Sequence, residues 1–451
     1  MFNFDYFLAP AIQISKNMFQ KNNPKITNAW TMYDWANSAF SLVITSAVFP
    51  GYSESITKND DGSSEITFLG LTLKNTVIFE YAASLAFFLI ALISPILTAI
   101  ADYSGRKKAF MQFFCLLGGS ACLMLTLFKN LATLHWGVLG YMLGLIGFAG
   151  SIVFNNSYLP DIATDDQFDY LSAKAFARGY IGSVILLVIS LAMIIFSKEL
   201  GFTDATLAPR ISFGLTGLWW IGFAQYSFYY MPSNVYQKKA VGNWILNGFK
   251  ELAKVWKELQ PLRYLKRFVL AFFFYNMAVQ TVMYLATFFA KDELQMEQQS
   301  LIIVVLLIQL VAVAGSYIFS IISDKKGNTY SLRIAVLVWI GICIGAYFVS
   351  SAISFYALAG VVGFVMGGIQ SLSRATYAKL MPETTDTASF FSFYDASDKI
   401  STALGIFVYG AIHHLTGTMR NSVLALMMFF VVGLIVLFFI PSKKSYQKRF
   451  E

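Results

Sequence analysis

The sequence is short of charge. Only 13% of its 451 residues are Asp, Glu, Lys or Arg, about half of the roughly 25% usual for a soluble domain. So few charges cannot cover a water-facing surface of this size, which excludes a soluble enzyme. Cysteine is scarce as well. Cys115, Cys122 and Cys343 all fall in apolar runs and form no CxxC or metal spacing, which excludes a disulfide framework. Of the three histidines, His413 and His414 are adjacent and so point to different helix faces, and His135 stands alone. No metal site or cofactor is expected. The chain has no Walker A loop, no G-x-G-x-x-G and no nucleophile elbow, so ATP-driven pumping and acyl-transfer chemistry are disfavoured. No basic stretch precedes the short apolar patch Phe4 to Ile14, which Asp5 and Pro10 interrupt. It reads as an amphipathic surface segment, not a cleaved signal peptide.

What the chain does have is apolar length. Hydrophobic residues make up 57%, and the mean hydropathy is +0.60. A helix needs roughly 20 apolar residues to cross the hydrocarbon core of about 30 Å, at about 1.5 Å per residue. Stretches of that length fall near 29–52, 76–100, 109–128, 132–157, 173–196, 211–231, 267–290, 300–322, 332–350, 353–374, 390–414 and 419–440. They are continuous, not alternating, so they read as helices and not as barrel strands. The expected fold is an all-α membrane protein with twelve transmembrane helices.

The formal net charge of +8 does not point to nucleic acid, because Lys and Arg collect in short loops beside the spans. The N-terminus, the loops after the even-numbered spans and the C-terminus together hold roughly 25 of the 33 basic residues. The positive-inside rule then places both termini in the cytoplasm of a multi-pass protein of the cytoplasmic membrane. The divisions expected are a cytoplasmic segment 1–28, a six-helix bundle 29–231, a linker 232–266, a second bundle 267–440 and a basic tail 441–451. Within the linker, Ile245, Phe249, Leu252, Trp256 and Leu259 recur every three or four residues, with Lys250, Lys254 and Lys257 between them. That is an amphipathic helix suited to an anionic leaflet. The loop 53–75 is polar and acidic and is expected to face outward, with a turn at Asp60-Asp61-Gly62.

The two halves repeat. Asp102-Tyr-Ser-Gly105 matches Asp324-Lys-Lys-Gly327, Pro160-Asp161 matches Pro382-Glu383, and Phe168 matches Phe390, all at an offset of 222 residues. Tyr33-Asp34-Trp-Ala36 aligns with Tyr275-Asn276-Met-Ala278 at an offset of 242. Most of the difference comes from the longer outward loop of the first half. Ordered matches in a six-plus-six layout indicate pseudo-symmetric bundles of the kind that carriers rock about a central site.

The stretch Asp102-Tyr-Ser-Gly105-Arg106-Lys107-Lys108 resembles the cytoplasmic loop motif of the major facilitator superfamily. Thr98 stands where that motif begins with Gly, and Tyr103 replaces its first basic residue. Trp30-Thr-Met-Tyr33-Asp34-Trp35-Ala36-Asn37-Ser38-Ala39-Phe40 is similar to the signature of the vacuole-effluxer-like branch, which includes fungal vacuolar amino-acid exporters. Gly367-Gly368-Ile-Gln370-Ser371-Leu-Ser373-Arg374 and Phe390-Phe391-Ser-Phe393-Tyr394 resemble the same branch. The resemblance implies a secondary transporter driven by a proton or substrate gradient, with amino acids as its suggested substrates. It also implies that spans four and ten line the pathway, and that Asp102 meets the positive N-terminus of span eleven to close the cytoplasmic side.

Charge inside a bilayer costs about 2.5–3.5 kcal/mol per residue on insertion scales, so each intramembrane ionisable group needs a partner or a cavity. Asp34 lies about one turn into span one, with Asn37 on the same face. It can hold a substrate amine or a proton, or it can be a helix-start carboxylate stabilised by the dipole. Asn276 and Gln280 are expected opposite it. Asp395, Asp398 and Lys399 open span eleven, and Asp395 and Lys399 can pair at i, i+4. Tyr33, Asn155, Asn156, Tyr284 and Gln370 complete the candidate substrate or proton pathway. Asp102, Gly105, Arg106, Lys107, Asp324, Gly327 and Arg374 are candidate gating residues. Gly140, Gly144, Gly147 and Gly150 have the small-xxx-small spacing of close helix packing. The expected partners are a small-molecule substrate (an amino acid or short peptide favoured), protons and the bilayer. The chain is expected to act as a monomer. A ligand sensor that does not transport is the alternative.

Overall fold

The computed structural model describes residues 20–59, 62–238, 244–416 and 419–441. The patch Phe4 to Ile14, Asp60 and Asp61 of the expected turn, and the tail beyond residue 441 lie outside the described residues. So do the side chains of Trp244, Ile245, Tyr284, His413 and His414.

With no water to satisfy backbone groups in the bilayer core, a spanning segment must close its hydrogen bonds internally, and this chain does so with helices. The first span starts at Pro24, earlier than its apolar run suggests, because Asn23 caps it. The Asn23 side chain accepts from Lys25 N–H at 3.0 Å, and Pro24 occupies the first turn, where its missing N–H costs nothing. It runs as α1 (Pro24–Ala39), a π-helical stretch Phe40–Val48 and α2 (Phe49–Ile56). Ser46 Oγ donates to the Ser41 carbonyl at 3.0 Å, five residues back. The outward loop carries a hairpin of β1 (Glu65–Phe68) and β2 (Leu71–Lys74), antiparallel with Glu65 opposite Lys74. The rest of the first half is α3 (Asn75–Ser104), α4 (Lys107–Leu125), α5 (Leu134–Ser157), the short turn α6 (Leu159–Ile162), α7 (Phe168–Ile195) and α8 (Leu207–Tyr230). After the linker helix α9 (Trp244–Leu259), the second half is α10 (Arg263–Leu294), α11 (Gln298–Lys326), α12 (Asn328–Phe348), α13 (Ala352–Leu380), α14 (Thr387–Thr416) and α15 (Met419–Phe438). Eight of these helices are long and apolar enough on their own to cross a membrane. The segmented first span, α8, α10 and α14 bring the membrane-length helices among the described residues to twelve.

The packing repeats between halves. In the first, α1 packs on α7 and α8, α3 on α5, and α4 on α5 and α8. In the second, α10 packs on α14 and α15, α11 on α13, and α12 on α13 and α15. Each of the second set is the counterpart of one of the first. The halves meet where α3 lies on α14 and α7 on α11, with α7 also on α13 and α5 on α14. Small residues permit the close approaches. A Cβ added at Gly147 of α5 would lie 2.5 Å from Gly118 Cα of α4, so these two backbones touch without side chains between them.

Both described chain ends lie at one face of the bundle, called here the basic end. Asn22 N–H donates to the Ile162 carbonyl at 2.8 Å, and Thr329 Oγ1 to the Pro441 carbonyl at 3.3 Å. Helix α9 crosses this face. Leaflet contact alone does not account for it, since its inner side packs on α3 of one half and α14 of the other. Val255 and Leu259 are buried, Gly248 sits against Ile100, Asn247 donates to the Tyr103 hydroxyl at 2.9 Å, and the Trp256 and Phe393 rings lie 5.7 Å apart. Phe249 remains exposed, as does much of the Trp256 ring at the edge of this contact.

Candidate functional site

Asp34 lies ten residues past the start of α1, about 15 Å along the helix axis. The helix-dipole effect fades within the first turn, so it cannot be what holds this carboxylate. A cross-half ion pair does. Arg374, six residues before the end of α13, donates from Nη1 to Asp34 Oδ2 at 3.0 Å, and Asn155 Nδ2 of α5 donates to Asp34 Oδ1 at 3.0 Å. The same Nη1 reaches Asn156 Oδ1 at 3.1 Å. Nε reaches Ser172 Oγ and Nη2 the Ser172 carbonyl, both at 3.1 Å. The guanidinium is sandwiched 4.8 Å from the Trp30 ring centre and 4.4 Å from that of Phe176, a cation–π arrangement. Trp30 is itself anchored, its indole N–H donating to the Asn155 carbonyl at 2.7 Å. Beside the pair, Tyr180 of α7 donates to Gln370 Oε1 of α13 at 2.6 Å. Both ions are buried, so this is a charged pair removed from water and tied to both halves.

A second cluster lies within the second half. Asn276 and Gln280, expected opposite Asp34, are spent instead on Asp398: their amide groups donate to its Oδ1 at 2.8 and 3.3 Å. Asn276 also donates to Ser401 Oγ at 2.9 Å. Lys399 Nζ is 2.6 Å from Asp398 Oδ2 and 3.7 Å from Asp395 Oδ1, and it lies 5.8 Å from the Phe87 ring centre of α3. Asp395 is buried, and its Oδ2 has no hydrogen-bond partner among the described residues.

The third group clasps the basic end. Asp102, at the last turn of α3, accepts from the Ala388 and Ser389 N–H groups at 3.3 and 2.7 Å and from Ser389 Oγ at 2.8 Å. It thereby supplies the acceptor that the first turn of α14 lacks. Gly105 makes the sharp exit from α3 possible. It adopts φ +68°, and a Cβ there would lie 2.5 Å from the Asn234 amide. Lys107 lies 2.5 Å from Asp161 and 3.7 Å from Asp102, and it also donates to Thr387 Oγ1. Asp161 in turn accepts from the Tyr236 hydroxyl at 2.9 Å and from Thr387 at 3.1 Å. Asp386 of the second half is gripped by Lys238 and Lys254 of the linker, at 2.7 and 2.8 Å. Burial opposes the charged form of Asp386, but the hydrogen bonds from these two lysines outweigh it and draw the carboxyl down to about 2.

The repeat-related contact is built differently. Asp324, the partner of Asp102 in the alignment, is exposed. The carboxylate at that place is Asp169 of α7, which accepts from Ser323 Oγ at 2.8 Å and Asn328 Nδ2 at 2.6 Å and pairs with Lys379 at 2.7 Å. Gly327, at φ +94°, joins α11 to α12. Arg106 is exposed, and the inward-facing cation is its neighbour Lys107. Tyr33 is buried inside the first half, its ring 5.9 Å from Phe228. Asn37 is buried beside Ser38. Arg374, grouped with the gate by sequence, belongs to the Asp34 pair. Sequence reasoning passed over Ser172, Phe176 and Tyr180, and also Asp169, Lys379, Lys238 and Asp386 as carriers of contacts. Only Asp161 left a trace, in the Pro-acid match between halves.

Two six-helix bundles joined by a linker helix, with polar contacts concentrated between them, define a transporter of the major facilitator fold. Solved structures share it. A crystal structure of the MFS transporter FucP in the outward conformation superposes with TM-score 0.69 at 13% identity, covering 93% of this chain and 99% of that one. The human organic anion transporter TETRAN gives 0.68 at 13%, covering 93% and 100%. Identity this low shows the fold alone. The chain belongs to the family described as "Vacuole effluxer Atg22 like", which matches residues 22–449. It is 33% identical over 428 residues to the MFS-type transporter YxiO of Bacillus subtilis (strain 168), covering 94% of this chain and 97% of that protein. Over 476 residues it is 24% identical to autophagy-related protein 22-2 of Aspergillus niger, covering 85% and 78%. The protein is therefore a multi-pass secondary transporter and not an enzyme.

Proposed function

We propose that this carrier moves a small zwitterionic metabolite, an amino acid or short peptide, by alternating access coupled to protons. The observation that carries the reading is the buried Asp34–Arg374 pair across the halves. Removing one partner of such a pair costs about 3–5 kcal/mol, because the other charge is left buried and unpaired. A zwitterion avoids that cost: its ammonium replaces Arg374 at Asp34 while its carboxylate takes the guanidinium fork of Arg374. A singly charged ligand leaves one site ion without a partner. Asn155, Asn156, Gln370 and Tyr180 supply neutral hydrogen-bonding groups around the exchange. The contacts of Asp102, Lys107 and Asp161 with the start of α14 hold the basic end shut and break when the halves rock. The Lys and Arg distribution supports a cytoplasmic basic end in the cytoplasmic membrane.

Counterflow in proteoliposomes tests this. Vesicles loaded with an unlabelled mixture of the common amino acids should accumulate labelled members of that mixture from outside, and Asp34→Asn and Arg374→Gln should each abolish the exchange. Exchange of a monovalent carboxylate or amine at the same rate as an amino acid would contradict the zwitterion reading. Binding measured by thermal shift without any counterflow would favour a sensor.

A further inference from the structure

The cluster at Asp395, Asp398 and Lys399 is short of one positive charge. Two carboxylates share one ammonium, and the ammonium is committed. Lys399 Nζ sits 2.6 Å from Asp398 but 3.7 Å from Asp395. Asp398 also takes the amide donors of Asn276 and Gln280. Asp395 has only the longer contact with Lys399 and no amide donor. It is 3% exposed, and its Oδ2 faces no donor among the described residues. An ionised carboxylate in that setting would be a buried charge whose one counter-ion stands 3.7 Å away and is shared with Asp398, which proteins avoid by neutralising the group.

The groups around it do not supply the missing charge. On α14 itself these are Asp398, Lys399 and Tyr394. From α10 come Asn276, Gln280 and Tyr275, whose hydroxyl is engaged with Ser373 at 2.7 Å. Arg374 of α13 is held by Asp34, and α3 presents the Phe87 ring. Asp102 of α3 and Lys107 of α4 contact residues 387–389 at the start of α14, about 10 Å from Asp395 along the helix at about 1.5 Å per residue. Lys254 of α9 is paired with Asp386. Helix α5 carries only the exposed His135 and Tyr141, which is stacked on Phe49. Helix α15 carries Arg420, paired with Glu293 at its far end.

We infer that Asp395 is the proton-carrying group of this transporter, a neutral carboxylic acid while the basic end is closed, and that Asp398 stays ionised as the standing partner of Lys399. The inference rests on the proton-coupled alternating-access reading and names the group that carries the proton within it. The step is a single proton transfer: the O–H bond at Asp395 breaks, the proton leaves to water on the open side, and the new carboxylate draws Lys399 across from Asp398. Asp398 keeps its two amide donors when Lys399 moves, so neither carboxylate is stranded. A metal cation fits less well, because Asn276 and Gln280 turn their N–H groups inward and a hard cation requires oxygen ligands.

Infrared difference spectroscopy on the full-length protein in lipid tests this without any substrate, so its outcome is separate from that of counterflow. Switching the perfusing buffer from neutral to alkaline should remove a protonated-carboxyl C=O band that shifts in heavy water. Asp395→Asn should lack the band, and Asp398→Glu, which retains a second carboxylate for Lys399, should keep it at the same frequency. Asp395→Ser is the second variant, with the same expectation, should the first not fold. A band that survives in both Asp395 variants overturns the inference. So does a wild-type protein with no such band, or a band abolished by sodium at constant pH.

Discussion

Arg374 engages with three nitrogens at once and has an aromatic ring on either side, so the role calls for a planar fork and not only a positive charge. Arg374→Ala should lower stability by about 3–5 kcal/mol, because Asp34 is then left buried without its counter-ion. Adding Asp34→Asn in that background should recover most of the loss while transport stays absent. Denaturant unfolding in detergent, followed by intrinsic tryptophan fluorescence, measures both. If Arg374→Ala proves as stable as wild type, the pair does not have the character described. The sequence marked Asp34 as an intramembrane ion in need of a partner but grouped Arg374 with the gate, so it could not pair them. They are 340 positions apart, and nothing local to either names the other. Asp34 also looked closer to a helix end than it is, since the Asn23-Pro24 cap sits outside the apolar run and lengthens α1.

At the scale of elements, continuous apolar runs were enough to place the spans. The π-helical stretch Phe40–Val48 was invisible, because extra backbone winding leaves no mark in hydropathy. The hairpin at residues 65–74 was hidden for the opposite reason, having too few residues to show a period. Helix α9 was legible as amphipathic, but not the fact that its apolar face meets protein on both halves. That placement yields a prediction. Lys238→Ala with Lys254→Ala removes both grips on Asp386 and should loosen the basic end. Ala388→Cys, buried in the closed contact, should then react with maleimide roughly three to ten times faster. The figure is modest because the Lys254 side chain is about half exposed (52%) and solvent screens it. The three native cysteines are buried and should stay silent. The pH dependence has a definite sign. The Asp386 carboxyl is drawn below its ordinary value, to about 2, so its contribution is fully present above the ordinary carboxylate range and is lost only as pH falls toward 2. The grip of Lys238 and Lys254 on Asp386 should therefore persist in mild acid, and unchanged labelling in the double variant at neutral pH would count against the latch.

Across the whole molecule, the 222-residue repeat foretold two matched bundles, and the recurring helix pairings display them. The repeat did not foretell how the copies would diverge. The first presents its carboxylate from the end of α3 to α14. At the repeat-related contact the carboxylate again comes from the first half, from α7 to α11 and the start of α12, and Asp324 of the second half is left exposed. Such contacts need not follow the symmetry of the repeat, because closure needs only a carboxylate between the halves, whichever half supplies it. Both contacts lie at the basic end, and rocking must break them together.

Spin-label distance measurements on the Asp102→Asn variant address that motion directly. One label pair, at Asp166 and Glu383, spans the halves at the basic end. A second, at Lys129 and Ser350, spans them at the opposite end, and all four positions are exposed. Removing the carboxylate that caps α14 should lengthen the first distance and shorten the second. Two unchanged distributions, or two that lengthen together, would contradict a carrier whose halves tilt about the Asp34–Arg374 pair.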